Sequence, residues 1–128
     1  MSTIHQEIPL PAPPARIYDA YMDSKEHAAF TGGGAADISK DAGGTFSCHG
    51  GVISGRNIEL VPGKRIVQAW RVGNWPEGVY SIVKMELVAD GAGTKLVLDH
   101  AGFPEEQGKH LDQGWHSRYW EPLRKYLG

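Results

Sequence analysis

KHLDQGWHSRYWEPLRKYL, running from Lys109 to Leu127, places Leu111, Trp115, Tyr119, Leu123 and Tyr126 or Leu127 four residues apart. That spacing puts large side chains on one face of a helix. Asp112, Gln113, His116, Arg118, Glu121, Arg124 and Lys125 fall on the opposite, solvated face. A long C-terminal helix with an aromatic stripe needs an apolar surface to lie on. The preceding sequence supplies one, because most of it reads as strands. A helix laid across a curved antiparallel sheet leaves space beside it, and that space is the expected pocket. Gly114 is expected to let the helix approach the sheet closely, and Pro122 to kink it one turn later.

Working upstream, Thr3 to Leu10 reads as a first strand, with Ile4, Gln6 and Ile8 alternating against Thr3, His5 and Glu7. The period then changes. Pro13-Pro14 opens a helix with Ile17, Tyr18, Tyr21 and Met22 on one face. A second short helix runs from about Asp23 to Phe30, capped by Asp23 or Ser24, and ends at Gly32-Gly33-Gly34. Strands follow at Ala35 to Ser39, Gly44 to His49, Val52 to Val61, Lys64 to Val72, Val79 to Val88 and Thr94 to Ala101. Pro62-Gly63 and Asp90-Gly91-Ala92-Gly93 are turn signals between them. The expected order is β-α-α-β-β-β-β-β-β-α, an α+β fold. Hairpin-linked strands make the sheet antiparallel, and the two-helix insertion lets the first strand return to an edge.

Alternation assigns faces. Leu96, Leu98 and His100 share the inner face of the last strand, opposite Lys95, Val97 and Asp99. Val83, Met85 and Leu87 point inward on its partner. Phe46, Cys48, Ile58 and Leu60 are also expected inside, and Arg56 with them unless a bulge near Gly55 shifts the register. Trp70 shares a face with Ile66 but also with Gln68, which leaves its side open. Trp75, in the loop before Pro76, either folds over the core or stays exposed as a contact.

Composition narrows the class. The 128 residues suffice for one domain spanning 1–128, with a net charge of −2 and scattered single Lys and Arg. Such scatter disfavours nucleic-acid binding. One cysteine, Cys48, excludes an internal disulfide and points to a reducing, cytoplasmic setting. No basic and apolar leader opens the sequence, and no apolar run approaches the ~18 residues of a membrane span.

No metal site is expected. Gly114, not histidine, stands four residues after His110, and His110 and His116 point apart on a helix. Cys48 and His49, like Asp99 and His100, are neighbours on strands and so face opposite ways, which splits both a thiol–imidazole pair and a carboxylate–imidazole dyad. Gly32-Gly33-Gly34 and Gly43-Gly44 lack the Lys-Ser/Thr of a phosphate loop and read as a flexible cavity rim. Glu105-Glu106 complement the dipole of the last helix.

An ordered series of motifs carries a resemblance. Glu59-Leu60-Val61-Pro62-Gly63-Lys64, Ile66-Val67, Trp70-Arg71 and Trp75-Pro76-Glu77-Gly78 lie within Gly55 to Gly78. Thr94, Gly102-Phe103-Pro104 and Gly114-Trp115 follow. Together they resemble the activator of heat-shock-protein-90 ATPase homologue family, a branch of the START-like (SRPBCC) superfamily. The resemblance implies a helix-grip fold: a curved antiparallel sheet wrapped around a long C-terminal helix, with a cavity between. START-like relatives include lipid carriers, receptors, cyclases and hydrolases, so the fold does not name a ligand. The family's eukaryotic co-chaperones carry a separate N-terminal domain that supplies much of the chaperone contact, while this sequence starts at the first START-like strand. The resemblance thus implies little stimulation of the heat-shock ATPase by this chain alone.

The expected function is binding of a small apolar or amphipathic molecule between sheet and helix. Trp70, Trp115 and Tyr119 would be apolar walls, Phe46 an inward neighbour, Phe30 part of the entrance, and His100 or Arg56 the polar anchor. No cofactor is expected. The alternative is a protein-interaction module that touches a heat-shock chaperone through Trp75 and the sheet surface. A third reading is a hydrolase or cyclase with His100 as general acid or base, its reference pKa of about 6.5 suiting the role.

Overall fold

The computed structural model describes residues 2–128. Strand β1 (Thr3–Leu10) buries Ile4, Gln6, Ile8 and Leu10 and exposes the residues between them. Helix α1 (Pro14–Met22) starts on a proline, and α2 (Ser24–Phe30) is capped by the Asp23 carboxylate, which accepts from the Glu26 backbone N–H at 2.9 Å. Six strands follow: β2 (Asp37–Ile38), β3 (Thr45–Cys48), β4 (Ile53–Val61), β5 (Arg65–Val72), β6 (Ser81–Asp90) and β7 (Gly93–Ala101). They form one antiparallel sheet in the order β1-β7-β6-β5-β4-β3-β2. The helical insertion carries β1 to the far edge, where Thr3 pairs with Ala101 and Leu10 with Thr94.

The C-terminal helix spans 105–127 and changes pitch along its length. A 3-10 turn (Glu105–Gln107) leads into an α segment (Gly108–Gly114), a π segment (Trp115–Trp120) and a second α segment (Glu121–Leu127). Pro122 accounts for the change. In a regular α-helix its ring would collide with the Arg118 carbonyl. The wider turn just before it, in which the Glu121 N–H reaches the His116 carbonyl five residues back, relieves that conflict. The consequence is a second inward tryptophan. Trp120 lies five residues after Trp115, stacks on it at 5.4 Å with 13° between the planes, and is fully buried.

The inner face carries the core expected from alternation: Val83, Met85 and Leu87 on β6, and Leu96, Leu98 and His100 on β7. On β5, Ile66, Gln68 and Trp70 all point inward. Strand β4 corrects the expectation. Its register slips between Asn57 and Glu59, so Ile58 is the extra residue of a bulge. Asn57 therefore faces in, while Ile58 is half exposed, Leu60 only partly buried and Arg56 exposed. Arg56 donates to the Gly43 carbonyl at 2.6 Å and is not an interior anchor. The glycine expected to host the bulge instead permits close packing: a Cβ at Gly55 would collide with the Ala69 carbonyl and stand 2.8 Å from the Phe46 ring.

Buried polar side chains link these layers. Tyr21 Oη donates to Gln68 Oε1 at 3.2 Å, Gln68 Nε2 to Asn57 Oδ1 at 3.0 Å, and Asn57 Nδ2 to the Ser39 carbonyl at 2.7 Å. At the other edge, Trp120 Nε1 donates to Gln6 Oε1 at 2.7 Å, and Gln6 Nε2 to Asp112 Oδ1 at 2.6 Å, fastening the C-terminal helix to β1. Among the described residues, no helix is long and apolar enough to cross a membrane.

Candidate functional site

The C-terminal helix and the sheet part at the end where β3 turns into β4, leaving a cleft of about 100 Å³. Its floor is Val52, Ile53, Trp70 and Val72, and its helical wall is Leu111, Gly114, Trp115 and Tyr119. Polar groups form the rest of the lining: His49, Asn74, Gln107, His110 and Arg118. Among the described residues, no aspartate or glutamate lines it. Gly114 does not serve close packing, since a Cβ there would meet nothing within 4 Å. Its missing side chain leaves room in the cleft.

His100 lies deeper, and its two ring nitrogens are committed. An indole N–H can only donate. Trp115 Nε1 is 3.1 Å from His100 Nδ1, so that nitrogen accepts and the ring proton sits on Nε2. Nε2–H then donates to Ser81 Oγ at 2.7 Å, and Ser81 donates in turn to the Trp70 carbonyl at 2.9 Å. The serine proton thus points away from the imidazole. Burial lowers the His100 pKa to about 4, and protonating Nδ1 would break the tryptophan bond. The arrangement holds His100 neutral near pH 7 and locks the floor of the cleft to its helical wall. Neither an acid–base role for His100 nor activation of Ser81 fits this polarity.

A second chain of bonds crosses Tyr119. His27 Nδ1 lies 2.8 Å from the Tyr21 carbonyl, which can only accept, so His27 carries its proton there. His27 Nε2 therefore accepts from Tyr119 Oη at 3.1 Å. Having spent its one proton, the hydroxyl accepts from His49 Nε2–H at 3.0 Å. Burial brings the His27 pKa to about 4, and burial followed by the charge of Arg118 lowers that of His49. Cys48 also adjoins Tyr119, but burial pushes its thiol up to about 12 and leaves it unreactive. His49 reaches the site because the chain leaves the strand there. Its φ is +54°, an uncommon value for a non-glycine residue, and Gly50 and Gly51 continue the turn at +69° and +96°. The expectation that Cys48 and His49 face opposite ways fails for this reason: alternation ends at Cys48.

Of the residues expected to line a pocket, Trp70, Trp115 and Tyr119 border the cleft. Phe30 does not form its entrance; it is buried against His27, Tyr119 and Tyr126. Phe46 is buried beside Gly55, and His100 is sealed behind Trp115. Trp75 is 5% exposed and packs edge-on against Trp70 at 5.8 Å, so it is no surface contact; its Nε1 is buried without a partner among the described residues.

Some of the residues that matter carry a readable signal. Ser81 shares the parity of Val83, Met85 and Leu87, and Gln6 that of Ile4 and Ile8. His27 stands three residues before Phe30 on the same helical face. His49-Gly50-Gly51 is a turn signature that ends a strand. Trp120 has none, because a regular 3.6-residue period turns it away from Trp115.

The comparisons with known proteins agree with the architecture. The family model described as Activator of Hsp90 ATPase homolog 1-like protein matches residues 11–128. Activator of 90 kDa heat shock protein ATPase homolog 1 of Homo sapiens is 30% identical over 115 residues, which are 90% of this chain and 34% of that protein. The Dictyostelium discoideum homologue is 35% identical over 103 residues, 80% of this chain and 27% of that protein. The chain thus spans about a third of the length of the curated relatives it matches. A crystal structure of an HSP90 activator from Plasmodium falciparum superimposes with a TM-score of 0.92 at 24% identity, covering 100% of this chain and 97% of that one. With its family model matched from the end of the first strand to the last residue, and with the helix-grip architecture expected of that family, the chain belongs to the Activator of Hsp90 ATPase homolog 1-like family.

Proposed function

We propose that this chain is a single START-like domain, working in the cytoplasm, that binds a small amphipathic molecule in the cleft between the sheet and the C-terminal helix. The observation that supports this is an opening with an indole floor and an indole wall beside a few polar side chains, the usual make-up of a small-molecule site. Its size sets a limit. About 100 Å³ is less than the roughly 150 Å³ of an engineered cavity that takes up benzene, so a steroid or a whole fatty acid is too large to be enclosed. Because Trp70 and Trp115 border the cleft, occupancy should change tryptophan fluorescence. Titration with five- to eight-atom amphiphiles should be saturable with one-to-one stoichiometry, and weakened more by Trp70→Ala than by the outer-face change Lys84→Ala. Absence of saturable binding by every such probe would overturn the reading.

The relatives' names favour a second reading, contact with a 90-kDa heat-shock chaperone. With Trp75 buried, that contact would use other parts of the surface, such as the outer sheet face where Tyr80 and Ile82 are half exposed. The assay is chaperone ATPase turnover with excess purified protein. Several-fold acceleration would put this reading first.

A further inference from the structure

We propose that the cleft selects a short-chain monocarboxylate, its chain on the indoles and its carboxylate at Arg118 and His49; this rests on the cleft being a ligand site. Charge complementarity is the first ground. In a chain of net charge −2, the cleft is lined by one arginine and two histidines and by no acidic residue. Arg118 has no ion pair or hydrogen bond among the described residues, so its guanidinium is free to clamp a carboxylate.

The second ground is the fixed tautomer of His49. Tyr119 holds its Nε2–H at 3.0 Å, and its Nδ1 has no partner among the described residues. The groups around that ring are Tyr119 and Arg118 on the helix, His27 on α2 and Cys48 on β3, with His110 across the cleft. None is acidic, so nothing around the ring rewards protonation of Nδ1. An entering carboxylate does, and it binds together with one proton on His49, which then donates to it from Nδ1. Affinity for the carboxylate therefore rises as pH falls from 8 towards 6.

The cleft volume fixes the chain length. A space smaller than a benzene site holds about three to five carbons, so each methylene up to pentanoate should strengthen binding about four-fold and further ones should add little.

The experiment is an NMR or tryptophan-fluorescence titration of the full chain with sodium acetate through octanoate, and with 1-pentanol as the uncharged partner of pentanoate. Pentanoate is expected to bind at least ten-fold tighter than 1-pentanol at pH 6. Arg118→Gln should erase that difference while the exposed-helix control Lys125→Gln keeps it, and His49→Gln should flatten the pH dependence. Equal affinity for pentanoate and 1-pentanol refutes carboxylate selection while leaving the cleft a ligand site. Affinity climbing steadily to octanoate refutes the length limit. If neither acids nor alcohol bind, the ligand-site reading itself fails.

Discussion

Mild acid should destabilise this protein through two buried histidines. His27 and His100 are held neutral by burial, their pKa lowered from 6.5 to about 4. With the folded pKa below the unfolded one, the unfolded chain takes up protons first as pH falls. The stability these residues contribute is therefore complete above about 6.5, declines through the window from 6.5 to 4, and is gone below it. Between pH 7 and pH 5 the unfolded state gains about 2 kcal/mol from each, or about 4 kcal/mol together. That is a large part of the ~5–15 kcal/mol available to a domain. His49, also lowered, acts in the same direction. His5, raised by hydrogen bonds to Asp99 and Glu7, acts in the opposite one but lies at the solvent-exposed surface. The carboxylates of Glu7, Asp23, Glu26 and Glu105 are lowered by their partners, so the stability they contribute is also lost as pH falls and acts in the same direction as that of His27 and His100. Urea unfolding followed by tryptophan fluorescence at pH 7, 6 and 5, with unchanged slope, gives the measurement. Imidazole nitrogen NMR at pH 7 adds a check on cause, with the proton expected on Nδ1 of His27 and on Nε2 of His100 and His49. Stability constant within about 1 kcal/mol from pH 7 to 5, or His100 protonated on Nδ1, would refute the bonding scheme.

Trp115→Ala removes a buried indole and should cost about 3–5 kcal/mol in denaturation experiments. Trp115→Phe keeps most of the ring but strands His100 Nδ1, whereas Trp75→Phe removes an N–H that has no partner. Trp75→Phe should therefore cost at least about 1 kcal/mol less than Trp115→Phe, and equal losses would mean the two indole N–H groups are equivalent. Gly114→Ala should raise stability by about 1 kcal/mol, because the site is helical and unobstructed, yet weaken cleft ligands by filling the space the glycine leaves. A lower melting temperature would show that the helix approaches its neighbours more closely there than it does in this structure.

Much of the fold is legible because one face of each strand is buried and the other is not. A period of two then fixes both the existence and the orientation of β1, β6 and β7. The failures lie where one backbone step breaks the period. The bulge at Ile58 turns Asn57 inward and Arg56 outward, and no alternation rule can place it, since Ile58 by its own chemistry belongs inside. What holds the bulge is a polar interaction: Asn57 fills its hydrogen bonds with Gln68, Ser39 and Asp41. The wide turn before Pro122 is the helical counterpart. The proline announces an irregularity, but as a kink. That the chain answers with a five-residue turn, bringing Trp120 onto Trp115, depends on a core able to accept both indoles.

The site is legible in its apolar part and misleading in its polar part, and the two outcomes share a cause. Large side chains at helical spacing must be buried somewhere, so Trp115 and Tyr119 can be placed from pattern alone, whereas the side of Trp70 stays open because it shares a strand face with both Ile66 and Gln68. A buried histidine is different, because what it does depends on which nitrogen carries the proton, and its partners set that. In the sequence His100 looks like the anchor because it points inward. Yet Trp115, Ser81 and the Trp70 carbonyl complete its bonding and leave it nothing to offer a ligand. His49 reads as the outward neighbour of Cys48, and a left-handed backbone step brings it to Tyr119 with one nitrogen free. Part of the polar lining of the cleft thus comes from a residue at a strand end, where a turn re-aims a side chain without disturbing the ladder. The interior histidines hold the cleft walls in place, His100 through Trp115 and His27 through Tyr119.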